Sequence, residues 1–279
     1  MTLDMPTGLG ATLAFLIGAS VGSFASMLAW RLPRELSIVS PGSFCESCER
    51  ALPWWANIPI LAYLGLRGRC LMCGAPIPFR HFLAEISLAI TGLYLFLAYP
   101  LPDAIARFML CAALWVVAIV DYDWRLIPNL ITWPGMIVGF IAATFMMPEV
   151  GWKSSLLGIL LGGGVLYGTG FLYQLVRGRE GVGLGDVWLL GMVGGFLGWA
   201  GVFFTLFVGS VIGAFGGIAF ALSGGTNNSP APVADPATDP EEADVSILRT
   251  EVPFGPFLAL AAGIFTLFQP QLTHWYLSR

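Results

Sequence analysis

The chain has 279 residues, of which 57% are hydrophobic and 11% charged, with a mean hydropathy of +0.79. Soluble domains carry about 25% charged residues, so this chain cannot cover a water-facing surface of its own size. A soluble enzyme and a disordered protein are excluded, and a net charge of −4 leaves no basic field for nucleic acid. What remains is an all-α polytopic membrane protein lodged in lipid.

The first apolar stretch, Met5 to Trp30, is uncharged and is preceded by Asp4 rather than by Lys or Arg. It therefore reads as a spanning helix and not as a cleavable signal peptide. A spanning helix needs about 20 apolar residues, and eight segments qualify: 9–30, 82–99, 104–120, 130–147, 154–176, 187–200, 201–222 and 255–270. The sixth and seventh are divided only by Trp199-Ala200-Gly201. If each crosses once, residues 31–81, 121–129, 177–186 and 223–254 share one side. Of the 13 Lys and Arg, all but Arg107, Lys153 and Arg279 fall on that side. The positive-inside rule then makes it cytoplasmic.

The expected organisation follows in chain order. Residues 1–30 hold the first transmembrane helix, and 31–81 a cytoplasmic loop with its own cysteine framework. Residues 82–222 form a transmembrane bundle. The Pro-, Ala- and acid-rich stretch 223–254 reads as a disordered cytoplasmic loop, and 255–279 as the last helix and tail. Glycines repeat at GxxxG spacing, Gly191 with Gly195, Gly194 with Gly198, and Gly209 through Gly213 to Gly217, which predicts close helix packing.

Cys45-Glu-Ser-Cys48 and Cys70-Leu-Met-Cys73 flank 21 residues in the loop between the first two helices. Each CxxC can curl around one ion, and two together complete a tetrahedral thiolate site, the usual structural zinc arrangement. A pair of redox dithiols is the competing reading, but one CxxC suffices for that chemistry. Metal-binding thiolates also suit the reducing side that the arginines select. Cys111 lies alone in an apolar run.

Ionisable groups near the membrane are costly, so each needs a role. Asp121 closes the third apolar helix, and Asp186 opens the sixth in Gly183-Leu-Gly185-Asp186. Both sit at cytoplasmic helix ends and share a depth. Two carboxylates brought together cannot both ionise; sharing one proton, they can activate water and protonate a leaving group, which is aspartyl-protease chemistry. Gly183 and Gly185 lack Cβ, which lets the backbone turn and a substrate strand approach. The plainer reading of Asp186 alone is a helix cap. Asp123 rivals Asp121, and Glu85, on one face with His81, is expected to pair with Arg80 or to make a polar contact in the bundle. His81 stands alone, so no Ser-His-acid set is expected. A proton-relaying transporter, or a scaffold using the zinc loop, are the other classes; the first would place acids deep in the membrane.

The motifs taken together resemble a known family, the bacterial type IV prepilin peptidases, also called prepilin leader peptidase/N-methyltransferases, which are GxGD-type intramembrane aspartyl proteases. The resemblance is carried by Gly22-Ser-Phe24, Arg31-Leu-Pro33, the two CxxC pairs with Asn57-Ile-Pro59 and Leu66-Arg-Gly-Arg-Cys70, then Arg80 and Glu85. It continues through Asp121, Leu126-Ile-Pro128-Asn129 and Thr132, then Arg179 to Asp186, and Pro253-Phe-Gly-Pro256. It implies cleavage of the leader from type IV prepilins and type II secretion pseudopilins at the cytoplasmic face of the inner membrane. N-methylation of the new N-terminus by S-adenosylmethionine would follow. Asp121 and Asp186 match the family's catalytic aspartates, and Cys45, Cys48, Cys70 and Cys73 its zinc-binding loop. This chain departs from the family pattern at Trp188, where a Lys is usual, at Asn129, where Asp is commoner, and at Ala25-Ser26 in place of Asn-Val.

Overall fold

A computed structural model describes residues 7–177, 183–222 and 253–277. The expected disordered loop at 223–254 lies almost wholly outside these described residues, as do Arg179 and Glu180 ahead of the second aspartate. The helices are α1 (Thr7–Arg31), the single turn α2 (Leu61–Gly65), α3 (Phe79–Ala98), α4 (Leu101–Trp124), α5 (Asn129–Phe145), α6 (Gly151–Arg177), α7 (Leu184–Leu222) and α8 (Gly255–Leu277). Among the described residues there is no strand beyond two isolated bridges in the cysteine loop. Five helices are long and apolar enough to cross a membrane, and two shorter apolar ones, Asn129–Phe145 and Gly255–Gln269, accompany them. The protein is a multi-pass membrane protein.

Proline sets several of the helix starts. Pro78, Pro100 and Pro128 stand immediately before α3, α4 and α5 in extended backbone, where a missing N–H costs nothing. At its far end α4 stops when Arg125 enters the left-handed region (φ 53°) and donates its N–H to the Asp121 carbonyl at 2.8 Å.

The longest helix reverses direction. At 1.5 Å per residue, 39 residues would run about 58 Å, nearly twice the hydrocarbon thickness. Gly198 breaks it with φ 69° and ψ −171°, a conformation closed to side-chain-bearing residues. Before the break, Gly194 lies against Gly158 of α6 so closely that a Cβ would meet backbone at 2.3 Å. After it, Gly209 faces Leu258 and Gly216 faces Phe257, so the second half runs antiparallel to α8. Both ends of α7 therefore reach the end of the bundle that carries the cysteine loop. The sequence put this boundary at Trp199-Ala200-Gly201; the break is one residue earlier, because the turn needs a positive φ and Gly198 has Ser154 packed where a Cβ would stand. The GxxxG expectation holds most strongly in the first half of α7, where backbone meets backbone. In the second half Gly213 makes ordinary contacts with Phe254 and Phe257, at 3.4 Å and beyond.

A core of Leu110, Leu114 and Val117 from α4, Leu189, Met192, Val193 and Phe196 from α7 and Leu258 from α8 is almost completely buried. A second, smaller cluster joins α1, α3 and α4 around Ala25, Leu88 and Val120. Arg107, counted above among the charges of the opposite side, is instead wholly buried within α4. Its Nε donates to Asp103 at 2.8 Å, a second nitrogen donates to the Thr266 carbonyl at 2.9 Å, and the guanidinium lies over the Tyr99 ring. Its charge is thus met inside the bundle, near the start of α4.

Candidate active site and metal centre

The cysteine loop is built from two copies of one local device. An antiparallel bridge, Phe44 with Ala51, brackets Cys45 and Cys48, and a second, Arg69 with Pro76, brackets Cys70 and Cys73. In each the first cysteine N–H bonds across the bridge, to Arg50 or Ala75, and its carbonyl accepts from the residue four positions on, Glu49 or Gly74. Both of those residues are left-handed, with φ 56° and 71°. The four sulfurs lie within 4.8 Å of one another, and Cys45 Sγ is 3.9 Å from Cys73 Sγ. A tetrahedral ion with bonds of ~2.3 Å needs sulfurs ~3.8 Å apart. The set fits a metal ion. Backbone N–H groups of Cys73 and Met72, aimed at the Cys70 sulfur, hold that thiol down at about 6, so a thiolate is ready near neutrality.

The loop is latched to the bundle by charged side chains. Arg31, buried at the end of α1, donates to the carbonyls of Ser37, Pro41 and Gly42 at 2.8 to 3.0 Å. Glu85 of α3 accepts the Ile60 N–H at 2.6 Å. That bond supports a non-glycine residue at φ 64°. Arg80 pairs with Asp123 of α4 and Glu85 accepts from the loop at Ile60, so Glu85 makes neither the Arg80 pair nor the contact within the bundle that the sequence offered. Asp123, the rival carboxylate, is thereby committed to an ion pair. His81 is not alone: its Nδ1 is 2.5 Å from Ser26 Oγ of α1, and its Nε2 is 3.5 Å from Glu46 of the first knuckle. The imidazole draws Glu46 well below the usual carboxylate range by hydrogen bonding. Between the knuckles, α1 and α3 lies a cavity of about 340 Å³.

The other constellation sits where α4, α5, α7 and α8 meet. Asp121 is buried in the last turn of α4 and accepts the Gly255 N–H at 2.9 Å. Asp186, partly buried in the first turn of α7, donates its own N–H to the Gly183 carbonyl at 3.1 Å and lies within electrostatic reach of Asp121. The Asp186 N–H bond to the Gly183 carbonyl spans three residues, so the chain turns at these glycines into α7. A Cβ on Gly185 would stand 2.8 Å from Ile127, which follows Asp121 in sequence; that glycine lets the two aspartate segments pack together. Among the described residues, the Asp186 carboxylate is the near neighbour of a Cβ placed on Gly183, at 3.6 Å.

A family model of the bacterial peptidase A24 N-terminal domain matches residues 16–99, and one of the type IV leader peptidase family matches 108–218. The chain belongs to the type IV leader peptidase family. It is 32% identical to the prepilin leader peptidase/N-methyltransferase of Myxococcus xanthus (strain DK1622), covering 94% of this chain and 91% of that one. It is 30% identical to the protein of the same name from Pseudomonas putida, with 94% and 91% covered. With the one from Burkholderia pseudomallei (strain K96243) it shares 31%, over 95% and 87%. No solved structure matches it significantly.

For this leader peptidase the structure also exposes what the sequence reading missed. Gly255 was quoted only as part of a motif, yet a Cβ there would stand 2.5 Å from Asp121 Oδ2. Its glycine was visible in the sequence; its contact, 134 positions away, was not. Trp188, in place of the usual Lys, packs its ring 5.0 Å from that of Trp133 on α5, so an aromatic contact occupies the place of the cation.

Proposed function

We propose that this enzyme is an aspartyl endopeptidase in which Asp121 and Asp186 act as a pair. It cuts the leader from prepilins and pseudopilins at the cytoplasmic face of the inner membrane and then methylates the new N-terminus. The reading is supported by two carboxylates, 65 positions apart in sequence, that lie within electrostatic reach of each other in a chain of this family. One carboxylate, ionised, takes a proton from a water molecule as its oxygen attacks the scissile carbonyl carbon. The other, protonated, gives its proton to the developing oxyanion; the first then passes the proton taken from water to the leaving amine as the C–N bond breaks, and the second recovers its proton as the carbonyl re-forms. The Gly255 N–H fixes one oxygen of Asp121, and Arg80 keeps Asp123 out of the reaction.

The cysteine cluster is read as a structural zinc site, all four positions being filled by thiolates so that none is left for water. S-adenosylmethionine supplies, when bound, an electrophilic methyl group for the second activity. Acids at one end of the bundle, rather than at mid-depth, do not fit the transporter reading.

Incubation of the purified protein with a prepilin, followed by mass spectrometry, tests both activities. Leader loss should occur without added cofactor, and one added methyl on the mature N-terminus only with S-adenosylmethionine. Full processing by Asp186→Asn would sink the paired assignment.

A further inference from the structure

Between Arg50 and Arg67 the cysteine loop carries no charged residue, and its apolar side chains are not folded away. Trp54 is 79% exposed, Leu61 67% and Leu64 58%. In water such a run would be a costly apolar patch, whereas Trp and Leu are at home where water meets lipid. The peptidase chemistry uses none of these side chains.

What covers the segment is set by its neighbour. The 20 residues of α3 rise about 30 Å, the hydrocarbon thickness of a bilayer, so Phe79 at its first position stands at the membrane boundary. Phe79, Leu83, Ile90 and Leu97 share one face of α3 and are all exposed, which makes that face the one turned to lipid. The ring of Tyr63, in α2, lies 6.4 Å from that of Phe79 and 5.0 Å from that of Phe82. The single turn α2 is therefore held beside the first turn of α3, at the depth where the lipid-facing stripe begins. Glu85 fixes it there by accepting the Ile60 N–H just ahead of the turn. Leu61 and Leu64, three positions apart, share the exposed side of α2 and continue the apolar surface of α3. The 3₁₀ turn Trp54–Asn57 packs on α2 and adds Trp54 to that patch.

Charge marks the layer in which the patch sits. Where the apolar segment ends, Arg67 and Arg69 are exposed and have no protein partner among the described residues. The other arginines nearby are engaged: Arg31 by loop carbonyls, Arg34 by the Trp30 and Trp124 rings, and Arg80 by Asp123. Apolar residues flanked by free guanidinium groups are the pattern of a segment lying in an anionic headgroup layer.

We infer that residues 54–64 form a wedge seated in the membrane interface on the loop's side, with Trp54, Leu61 and Leu64 among the upper acyl chains and Arg67 and Arg69 on lipid phosphates. The knuckles are then held from two directions, by Arg31 and Glu85 from the bundle and by the wedge from the lipid. The inference needs only that α3 spans the membrane, so it goes beyond the assignment of the aspartates and does not depend on it.

Carbene labelling of the full-length protein in nanodiscs tests the wedge without any variant. The probe is a phosphatidylcholine carrying a diazirine high on one acyl chain, in a bilayer of phosphatidylcholine and phosphatidylglycerol. Trypsin cuts after Arg50 and Arg67, so the segment is recovered as the single peptide 51–67. Label on that peptide, as on the α3 peptide 81–107, supports the wedge. An unlabelled 51–67 beside a labelled 81–107 overturns it, as does cross-linking of 51–67 to a second copy or another protein in its place. Leu61→Asp with Leu64→Asp changes only exposed side chains and should lower the label on 51–67 at least about threefold while that on 81–107 stays; unchanged label on 51–67 would count against the wedge. Arg67→Gln and Arg69→Gln should each lower, about fivefold, the preference for phosphatidylglycerol over phosphatidylcholine among the lipids that stay bound in native mass spectrometry. An unchanged preference in the double variant would overturn the phosphate contacts.

Discussion

The knuckles and the aspartate pair are both held at one end of the bundle, but they are assembled in opposite ways. Each knuckle closes on itself within eight residues, by a bridge, a left-handed residue and hydrogen bonds four or five positions apart. The joining of the two knuckles is long-range, through four sulfurs placed where they could share a metal ion. At the two aspartates local bonds shape only the helix ends, Arg125 to Asp121 and Asp186 to Gly183. Asp121 is positioned by Gly255 of α8, and the Asp186 segment by Ile127, each contact reaching across the sequence. The loop brings together four thiols that could hold an ion, whereas the carboxylates depend on the packing of helices.

The sharpest break of that contrast is at the carboxylates themselves. Asp121→Asn or Asp186→Asn should each lower leader cleavage by at least about 10³-fold while leaving the metal content at one ion per chain. Asp123→Asn should keep measurable activity, since its partner is Arg80 and not Asp186.

Next in size comes the support of Asp121. A methyl group added by Gly255→Ala would stand 2.5 Å from Asp121 Oδ2 and must displace it. Cleavage should fall about 10- to 100-fold, the usual cost of misplacing a reacting group by a fraction of an ångström to an ångström. A variant as fast as wild type would show that α8 does not position the pair.

Removing the metal should do the reverse. Chelation, or Cys70→Ser, should release the ion and abolish methylation, yet keep cleavage within about tenfold because the aspartates are held by the bundle. Metal analysis beside the two assays measures this, and cleavage lost in parallel with metal would show the regions to be one unit.

The smallest effect tests the likeness of the knuckles. Glu49 holds the left-handed place that Gly74 holds in the second copy. Glu49→Gly should relieve about 0.5–1 kcal/mol of backbone strain and raise, slightly, the chelator concentration needed to strip the ion.

Sequence reading reached further into the knuckles than into the bundle, for the same reason. Two CxxC spacings encode a local fold and a ligand set together, so Cys45, Cys48, Cys70 and Cys73 were legible as a cluster before any coordinates. Asp121 and Asp186 were legible as a pair only through orientation, from arginines that fixed which helix ends share a side. Their supports were not. His81 was read as solitary because Ser26 and Glu46 lie 55 and 35 positions away from it, and no periodicity links them. The closeness of Gly185 to Ile127, 58 positions away, could not be read from the sequence either.

Composition, hydropathy and the placing of arginines were enough to determine a multi-pass helical protein with its thiols and acids at one end. Those properties follow from the cost of each residue in water or lipid, which is additive and local. The reversal of α7 at Gly198, the capture of Asp121 by Gly255 and the walls of the chamber below the knuckles were decided by the tertiary structure alone. Each is a steric fit between backbones far apart in the chain, and such fits are settled only when the helices pack.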